Sequence, residues 1–372
     1  MKLSFMAMIY GAVGVAAVCL TGRSPGGGPV PVAAPAKPPV AAPPGVPAVP
    51  PVLARSDPAK PAHPSAPPAW TVPDIDKLPN DAWGKLVRLG RELTIATYAH
   101  IGPEVADPAM RYAGNNLSCQ NCHLEGGAKQ FGLPFVGVFA DFPQYRGREG
   151  KVGSLEDRIN GCMERSMNGR ALPLDSTEMA AFVAYIKFLS TGVAIGAQTA
   201  GRGSGDMPKL VRAADPDHGK ALFGQNCASC HGLDGQGKRH GPPGDAGGYE
   251  FPPVWGRDSF NDGAGMNRLV SAANFVRSNM PNGSTWLAPA LSAEDAWDVV
   301  AYFQSQPRPA RAHLDQDFPV RLQKPVDAGY GPYVDGFDRT QHQLGPFGPI
   351  EQRIKELKSE KSAAAGSTPV AR

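Results

Sequence analysis

Cys119-Gln120-Asn121-Cys122-His123 and Cys227-Ala228-Ser229-Cys230-His231 decide how this chain is read. Each string has the form C-x-x-C-H, the attachment signature of a c-type haem. Chemistry sets the spacing: two thiols add to the two vinyl groups of one haem, and the adjacent histidine binds the iron from the proximal side. A zinc site would want four nitrogen or sulfur ligands in tetrahedral spacing, and each string offers three. A thioredoxin-type C-x-x-C gives no reason for the trailing histidine. Two such strings, each after a helical stretch and before a Gly-rich loop, predict two covalently attached haem c groups. Cys119, Cys122, Cys227 and Cys230 would carry the thioethers, and His123 and His231 would bind iron.

Composition bounds what surrounds them. A chain of 372 residues points to two domains. Its net charge of +3 carries no basic field on the scale that nucleic acid requires. Of the six cysteines, four are taken by the two strings, leaving Cys19 and Cys162, so this is not a disulfide scaffold. Bacteria attach haem to such strings outside the cytoplasmic membrane, so a periplasmic location is expected. The N-terminus agrees: Lys2 precedes an uncharged run from Leu3 to Leu20, long for a signal segment and just long enough to span a bilayer. Three readings compete: a signal cleaved after the small residues around Gly14–Ala17, a retained anchor, and a lipid-modified Cys19. Val18 is bulkier than the residue that usually precedes a lipidated cysteine. A tether to the cytoplasmic membrane through residues 3–20 is preferred, because a long spacer follows it.

That spacer spans residues 25–73 and holds 17 of the 39 prolines, a composition that stays extended and builds no core. With the leader at 1–24, the expected organisation is a first cytochrome c domain at 74–204 and a second at 205–310. A tail at 311–350 has apolar anchors but little helical period and is expected to wrap over both, and a polar end at 351–372 is expected to fray. Each haem segment opens with an amphipathic helix, Asp81 to His100 in one and about His218 to Asn226 in the other. Each closes with an aromatic stripe, Phe182, Tyr185 and Phe188 in the first and Trp297, Tyr302 and Phe303 in the second. Ser292 with Asp295 reads as a capping box. No segment reads as a strand, so the fold class is all-α: two cytochrome c-like haem domains with long loops and an extended C-terminal wrap.

The two irons differ in what stands opposite the histidine. For the second, the candidates are Met266, Met280, His240 and Lys238. Met280 is preferred, lying 49 residues beyond His231 in Asn279-Met280-Pro281, where proline ends a helix and presents the thioether from a loop. His/Met ligation raises the reduction potential, as an electron-exit haem requires. The first domain lacks a Met-Pro loop after His123. In its place runs Ser154-Leu155-Glu156-Asp157-Arg158-Ile159-Asn160-Gly161-Cys162-Met163-Glu164-Arg165-Ser166-Met167-Asn168-Gly169, with a capping box of Ser154 and Asp157 and Gly169 as the expected stop. Arg158, Cys162 and Ser166 fall at i, i+4 and i+8 and share a face. A lone cysteine is usually a small buried hydrophobe, and Met163 or Met167 could serve as the ligand instead. An arginine one turn earlier favours thiolate, which would hold the iron at low potential and keep a nucleophilic sulfur beside it.

The run from Arg158 to Ser166, together with two C-x-x-C-H strings, resembles the dihaem thiosulfate dehydrogenases. Lys324-Pro325-Val326-Asp327-Ala328 and Gly345-Pro346-Phe347 in the tail are similar to that family too. The likeness covers roughly 74–350. It implies a His/Cys haem and a His/Met haem, with Cys162 as distal ligand and catalytic cysteine and Met280 as the second distal ligand. Arg148, Arg158 and Ser166 would bind substrate anions. It implies oxidation of two thiosulfates to tetrathionate, in some members run in reverse, with electrons passed to an external acceptor such as a soluble cytochrome c or a membrane oxidase. Some relatives carry a lysine before the ligating methionine that can exchange with it; Asn279 stands there in this chain, so no such exchange is expected. Two alternatives remain: a SoxA-like sulfur-transferring dihaem cytochrome, and a non-enzymatic tethered electron shuttle.

Overall fold

Helix α1 (Ala82–Ile95), α2 (Leu155–Arg165) and α3 (Thr177–Leu189) frame the first haem string. Helix α4 (Pro216–Asn226), α5 (Leu269–Asn279) and α6 (Ala293–Ser305) frame the second. These elements belong to a computed structural model that describes residues 70–366, with side chains to residue 363. The leader, its three readings and residues 25–69 of the spacer lie outside the described residues. Among those described, no helix is long and apolar enough to cross a membrane.

Local chemistry starts the helices. Asp81, Ser176, Asp215 and Ser292 each accept a hydrogen bond from a backbone N–H in the first turn of α1, α3, α4 and α6. Pro216 occupies the first turn of α4, where its missing N–H costs nothing, so that helix begins two residues before its expected start at His218. The opening helix of the first unit is shorter than expected. It stops at Ala96 and restarts as Thr97–Ile101. Thr94 and Thr97 turn their hydroxyls back onto the carbonyls of Gly90 and Leu93, a habit that bends helices. The break aims Thr97 Oγ1 at the backbone N–H of Cys119, 3.1 Å away, and so fixes the first haem string.

The two units repeat one crossing. α1 packs against α3, and α4 against α6. At each crossing a glycine lets backbones touch: a Cβ on Gly90 would lie 2.0 Å from the Ala181 carbonyl oxygen, and one on Gly219 would lie 1.9 Å from that of Asp298. Val87, Leu93, Phe182 and Ile186 fill the first unit around its crossing, and Leu222, Phe223, Trp297 and Val300 the second. The aromatic stripes thus face inward. Two short antiparallel ribbons interrupt the helical fold, β1 (Gln144–Arg146) with β2 (Lys151–Gly153) and β3 (Lys238–Arg239) with β4 (Tyr249–Phe251). Strands of two or three residues offer too few alternating positions to be read from sequence.

Two boundaries move. Trp70 and Val72, assigned to the spacer, pack against the first unit, and Trp70 Nε1 donates to the Ala128 carbonyl. The polar end expected to fray from 351 is instead part of helix α7 (Gly348–Gly366). Fully buried Ile350 anchors it in the second core beside Phe347, Lys209 pairs with Glu351, and Arg353 pairs along the exposed face with Glu356 and Glu360. Residues 311–347 between α6 and α7 pack on the second core through Val326, Phe337 and Leu344 and reach across to the first unit through Asp317 and Phe318.

The crossings yield a stability test. Gly90→Ala should cost about 2 kcal/mol or more in denaturant unfolding, because backbone must move to admit the methyl. Gly224→Ala, on α4 with open space around it, should be neutral or stabilising.

Candidate active site

Helix α2 carries Arg158 and Cys162, with Ser166 as its C-terminal cap. Its N-terminus is closed by the reciprocal box of Ser154 and Asp157. At its C-terminus the left-handed residue is Asn168, not Gly169. Gly169 serves for close approach, since a Cβ there would strike the Tyr112 carbonyl oxygen at 2.0 Å, while its N–H closes on the Met163 carbonyl. Met163 on α2 and Met167 just past its end are buried. Arg158, Cys162 and Ser166 present one face to two adjoining cavities and line both. Arg158 Nη1 donates to Cys162 Sγ across 2.8 Å. The sulfur beside it raises the Arg158 guanidinium above its ordinary value, against the burial that pulls it down.

The first cavity, about 310 Å³, is lined by Cys119, Cys122 and His123 together with Cys162, Met163 and Met167. Leu117, Phe135, Val138, Ile159, Phe182 and Ile186 make the rest largely hydrocarbon. This is the setting a haem needs. His123 Nδ1 meets the Leu133 carbonyl at 2.5 Å, which fixes the ring and leaves Nε2 to ligate. Burial pushes His123 down to about 4, so it stands as the neutral imidazole that binds metal. Burial lifts the thiols of Cys119 and Cys122 to about 11 and about 12. In the second unit His231 Nδ1 meets the Pro252 carbonyl at 2.8 Å, and burial again lowers its pKa. Cys227 and Met280 pack on the same core there. Met280 is extended and ends α5, as a residue before proline must be. Met266, another candidate for the second iron, packs on the second core and also lines the first cavity with His123 and Cys162. Among the described residues no three His, Cys, Asp or Glu side chains are placed to share a metal ion.

The second cavity, about 350 Å³, is lined by five arginines: 146, 148, 158, 165 and 268. Their partners set them apart. Glu149 holds Arg146 through two hydrogen bonds; burial works against the Glu149 charge, but Arg146 wins and keeps the carboxyl below its ordinary range. Asp317 grips Arg165 bidentately at 2.7 and 2.9 Å, and Asp327 takes Arg268. Arg148 has no carboxylate partner among the described residues. It donates to the Gly263 carbonyl at 2.7 Å and stacks over Phe318, and burial lowers its pKa. Tyr330 donates to Asp317 and so steadies the Arg165 pair from behind. Sequence reading singled out Arg148, Arg158 and Ser166 and missed Arg146, Arg165 and Arg268. Arg165 sat within the quoted α2 run and Arg146 in a locally basic stretch, but nothing local marks Arg268, which the second unit and the tail bring in.

Comparison with known proteins closes the question of kinship. Residues 110–195 match the SoxA/TsdA cytochrome c domain family, and 216–307 match the cytochrome c family. A thiosulfate dehydrogenase of Allochromatium vinosum is 43% identical over 257 residues, covering 67% of this chain and 88% of that protein. One from Stutzerimonas stutzeri is 39% identical over 269 residues, covering 71% and 82%. The chain belongs to the thiosulfate dehydrogenase family. A solved thiosulfate dehydrogenase (TsdBA) from Marichromatium purpuratum superposes with a TM-score of 0.58 at 33% identity, over 66% of this chain; the match spans half the length of that solved chain. As a family member with two cytochrome c domains, the protein carries two haem c groups, and the reading as a non-enzymatic shuttle gives way to that of an enzyme.

Haem content tests the two strings separately. Cys119→Ser with Cys122→Ser should halve the covalent haem per chain in a pyridine haemochrome assay. A chain that kept both haems would contradict the assignment.

Proposed function

We propose that this protein oxidises two thiosulfates to tetrathionate at Cys162 and hands two electrons through the second haem to an external acceptor. The observation that carries the reading is the Arg158–Cys162 contact at the junction of a hydrocarbon-walled cavity and an arginine-lined one. His123 and Cys162 would hold the first haem and His231 and Met280 the second, anchored on Cys119, Cys122, Cys227 and Cys230. When bound, the haems supply one-electron acceptors, two for a two-electron reaction.

The chain's own residues do the rest. Thiosulfate is a dianion, and joining two of them forces like charges together. At an effective dielectric of about 20, each pair of unit charges at ~4 Å costs about 4 kcal/mol. Arg148, which has no carboxylate ion pair among the described residues, and Arg158 offset this with charge-assisted hydrogen bonds, and Ser166 adds a hydroxyl donor. The Cys162 thiolate and one thiosulfate lose two electrons and form a sulfur–sulfur bond, giving a Cys162 S-thiosulfonate. A second thiosulfate attacks that adduct at its outer sulfane sulfur; the Cys162 Sγ–S bond breaks, tetrathionate leaves, and Cys162 recovers its thiolate and the electron pair. No proton enters or leaves, and the sequence can run backwards as a tetrathionate reductase. A SoxA-like role would leave sulfur on Cys162 for a carrier protein; two anion-binding arginines beside it favour a second small dianion as the acceptor.

The same reading covers surroundings. Export to the periplasm follows from haem attachment, residues 3–20 serve as the membrane tether, and a soluble cytochrome c or a membrane oxidase takes the electrons. No nucleic-acid partner is involved.

Two variants test the mechanism with thiosulfate and ferricyanide alone. Cys162→Gly should retain both haems and lose turnover in both directions; retained activity would sink the cysteine's role. Arg148→Gln should raise the KM for thiosulfate about tenfold, the worth of a charged hydrogen bond of roughly 1.4 kcal/mol.

A further inference from the structure

A strained stretch of backbone lies where the two candidate haem sites meet. Phe131 and Leu133, two bulky residues on either side of Gly132, stand at φ +58° and +54°. Side chains of this size rarely take the left-handed region, and such strain persists only where surroundings over-determine it. Here both carbonyls are in use. The Leu133 carbonyl meets His123 Nδ1, and the Phe131 carbonyl accepts from Asn279 Nδ2 at 2.9 Å. Asn279 is the neighbour of Met280.

Everything around this segment holds it fixed. Phe131 N–H donates to Gly201 and Leu133 N–H to Gly203, pinning the segment to the connector between the units. Ser278 Oγ donates to Ser204 at 2.6 Å, pinning the same connector to the end of α5. The Phe131 ring stacks on Trp286 at 4.4 Å and 16°. Asn279 is 2% exposed, and its amide bridges the carbonyls of Phe131 and Phe275, which fixes which end is nitrogen. The outcome is a buried Oδ1 with no partner. Two strained residues and an unsatisfied acceptor cost stability at one spot, and that pattern marks a functional constraint.

We infer that residues 131–133 and Asn279 form a strut that links the proximal side of the first haem site to the distal side of the second, with Asn279 as its positioning residue. The inference rests on the proposed ligand roles of His123 and Met280. A hydrogen bond from His123 Nδ1 to Leu133 makes the imidazole a stronger donor and favours ferric iron. Anchoring of Asn279 holds the Met280 sulfur in place and favours ferrous iron. One strut therefore keeps the first potential low and the second high, so loosening it brings the two together. Coupling of this kind is reciprocal, so it can be tested from either end.

The test is a spectroelectrochemical titration of the full chain with both haems attached. Asn279→Leu keeps the volume and removes the donors. The expected result is an upward shift of the first haem's midpoint, a downward shift of the second's with a weakened methionine-to-iron band, and a several-fold fall in kcat at unchanged KM. Phe131→Gly relaxes the strut from the other side and should lower the second midpoint even if the Asn279 variant fails to fold. Glu104→Gln breaks a different contact between the units, the 2.7 Å pair with Arg239, and should move neither potential. A first midpoint unchanged in Asn279→Leu, or a second unchanged in Phe131→Gly, overturns the strut. Wild-type spectra separate this from the ligand reading: if the thiolate-to-iron or methionine-to-iron band is absent there, the ligand assignment falls and the strut with it.

Discussion

A guanidinium held 2.8 Å from a cysteine sulfur, at the edge of a cavity walled by hydrocarbon, is the contact on which the rest of this molecule depends. Both residues line the two cavities, and the sulfur raises the guanidinium above its ordinary value. Helix geometry supplies the pairing cheaply: four residues apart on α2 puts Arg158 and Cys162 one above the other. The box of Ser154 and Asp157 then fixes where that helix begins, and the approach of Gly169 to Tyr112 fixes where it ends.

The second constraint is how to gather positive charge without destabilising the fold. Five arginines around one small cavity would repel, and four of them are balanced: Arg146 by Glu149, Arg165 by Asp317, Arg268 by Asp327 and Arg158 by the cysteine sulfur. Among the described residues Arg148 alone of the five has neither a carboxylate nor the Cys162 sulfur as its partner. The balancing carboxylates of Arg165 and Arg268 come from the tail, more than a hundred residues beyond α2. The tail is therefore part of the site as well as of the second core. The shared Gly263 carbonyl, which accepts from both Arg148 and Arg165, stitches the second unit onto the same cavity.

What could be read from the sequence follows the range of the forces involved. The haem strings, the cap of α2 and the shared face of Arg158, Cys162 and Ser166 are local, because covalent spacing and helix period write them into consecutive residues. Both aromatic stripes were legible for the same reason. Arg268, Asp317, Asp327 and Met266 were not, since only tertiary packing brings them to the cavity. The glycines at the two helix crossings look like any helical glycine until the opposing carbonyl is in place. Helix α7 was misjudged because its surface is polar nearly all round, and a single buried Ile350 with a few ion pairs gives no strong period. Phe131, Leu133 and Asn279 carry no motif at all; their meaning lies in carbonyl directions.

The central claim is that Cys162 itself takes on the substrate sulfur. Mass spectrometry of the intact holoprotein, followed by peptide mapping after brief exposure to tetrathionate, measures this directly. The account predicts one added S₂O₃ unit per chain, on the peptide that holds Cys162, and its loss on incubation with excess thiosulfate. An unmodified Cys162 in protein that is turning over, or an adduct confined to another residue, would contradict it.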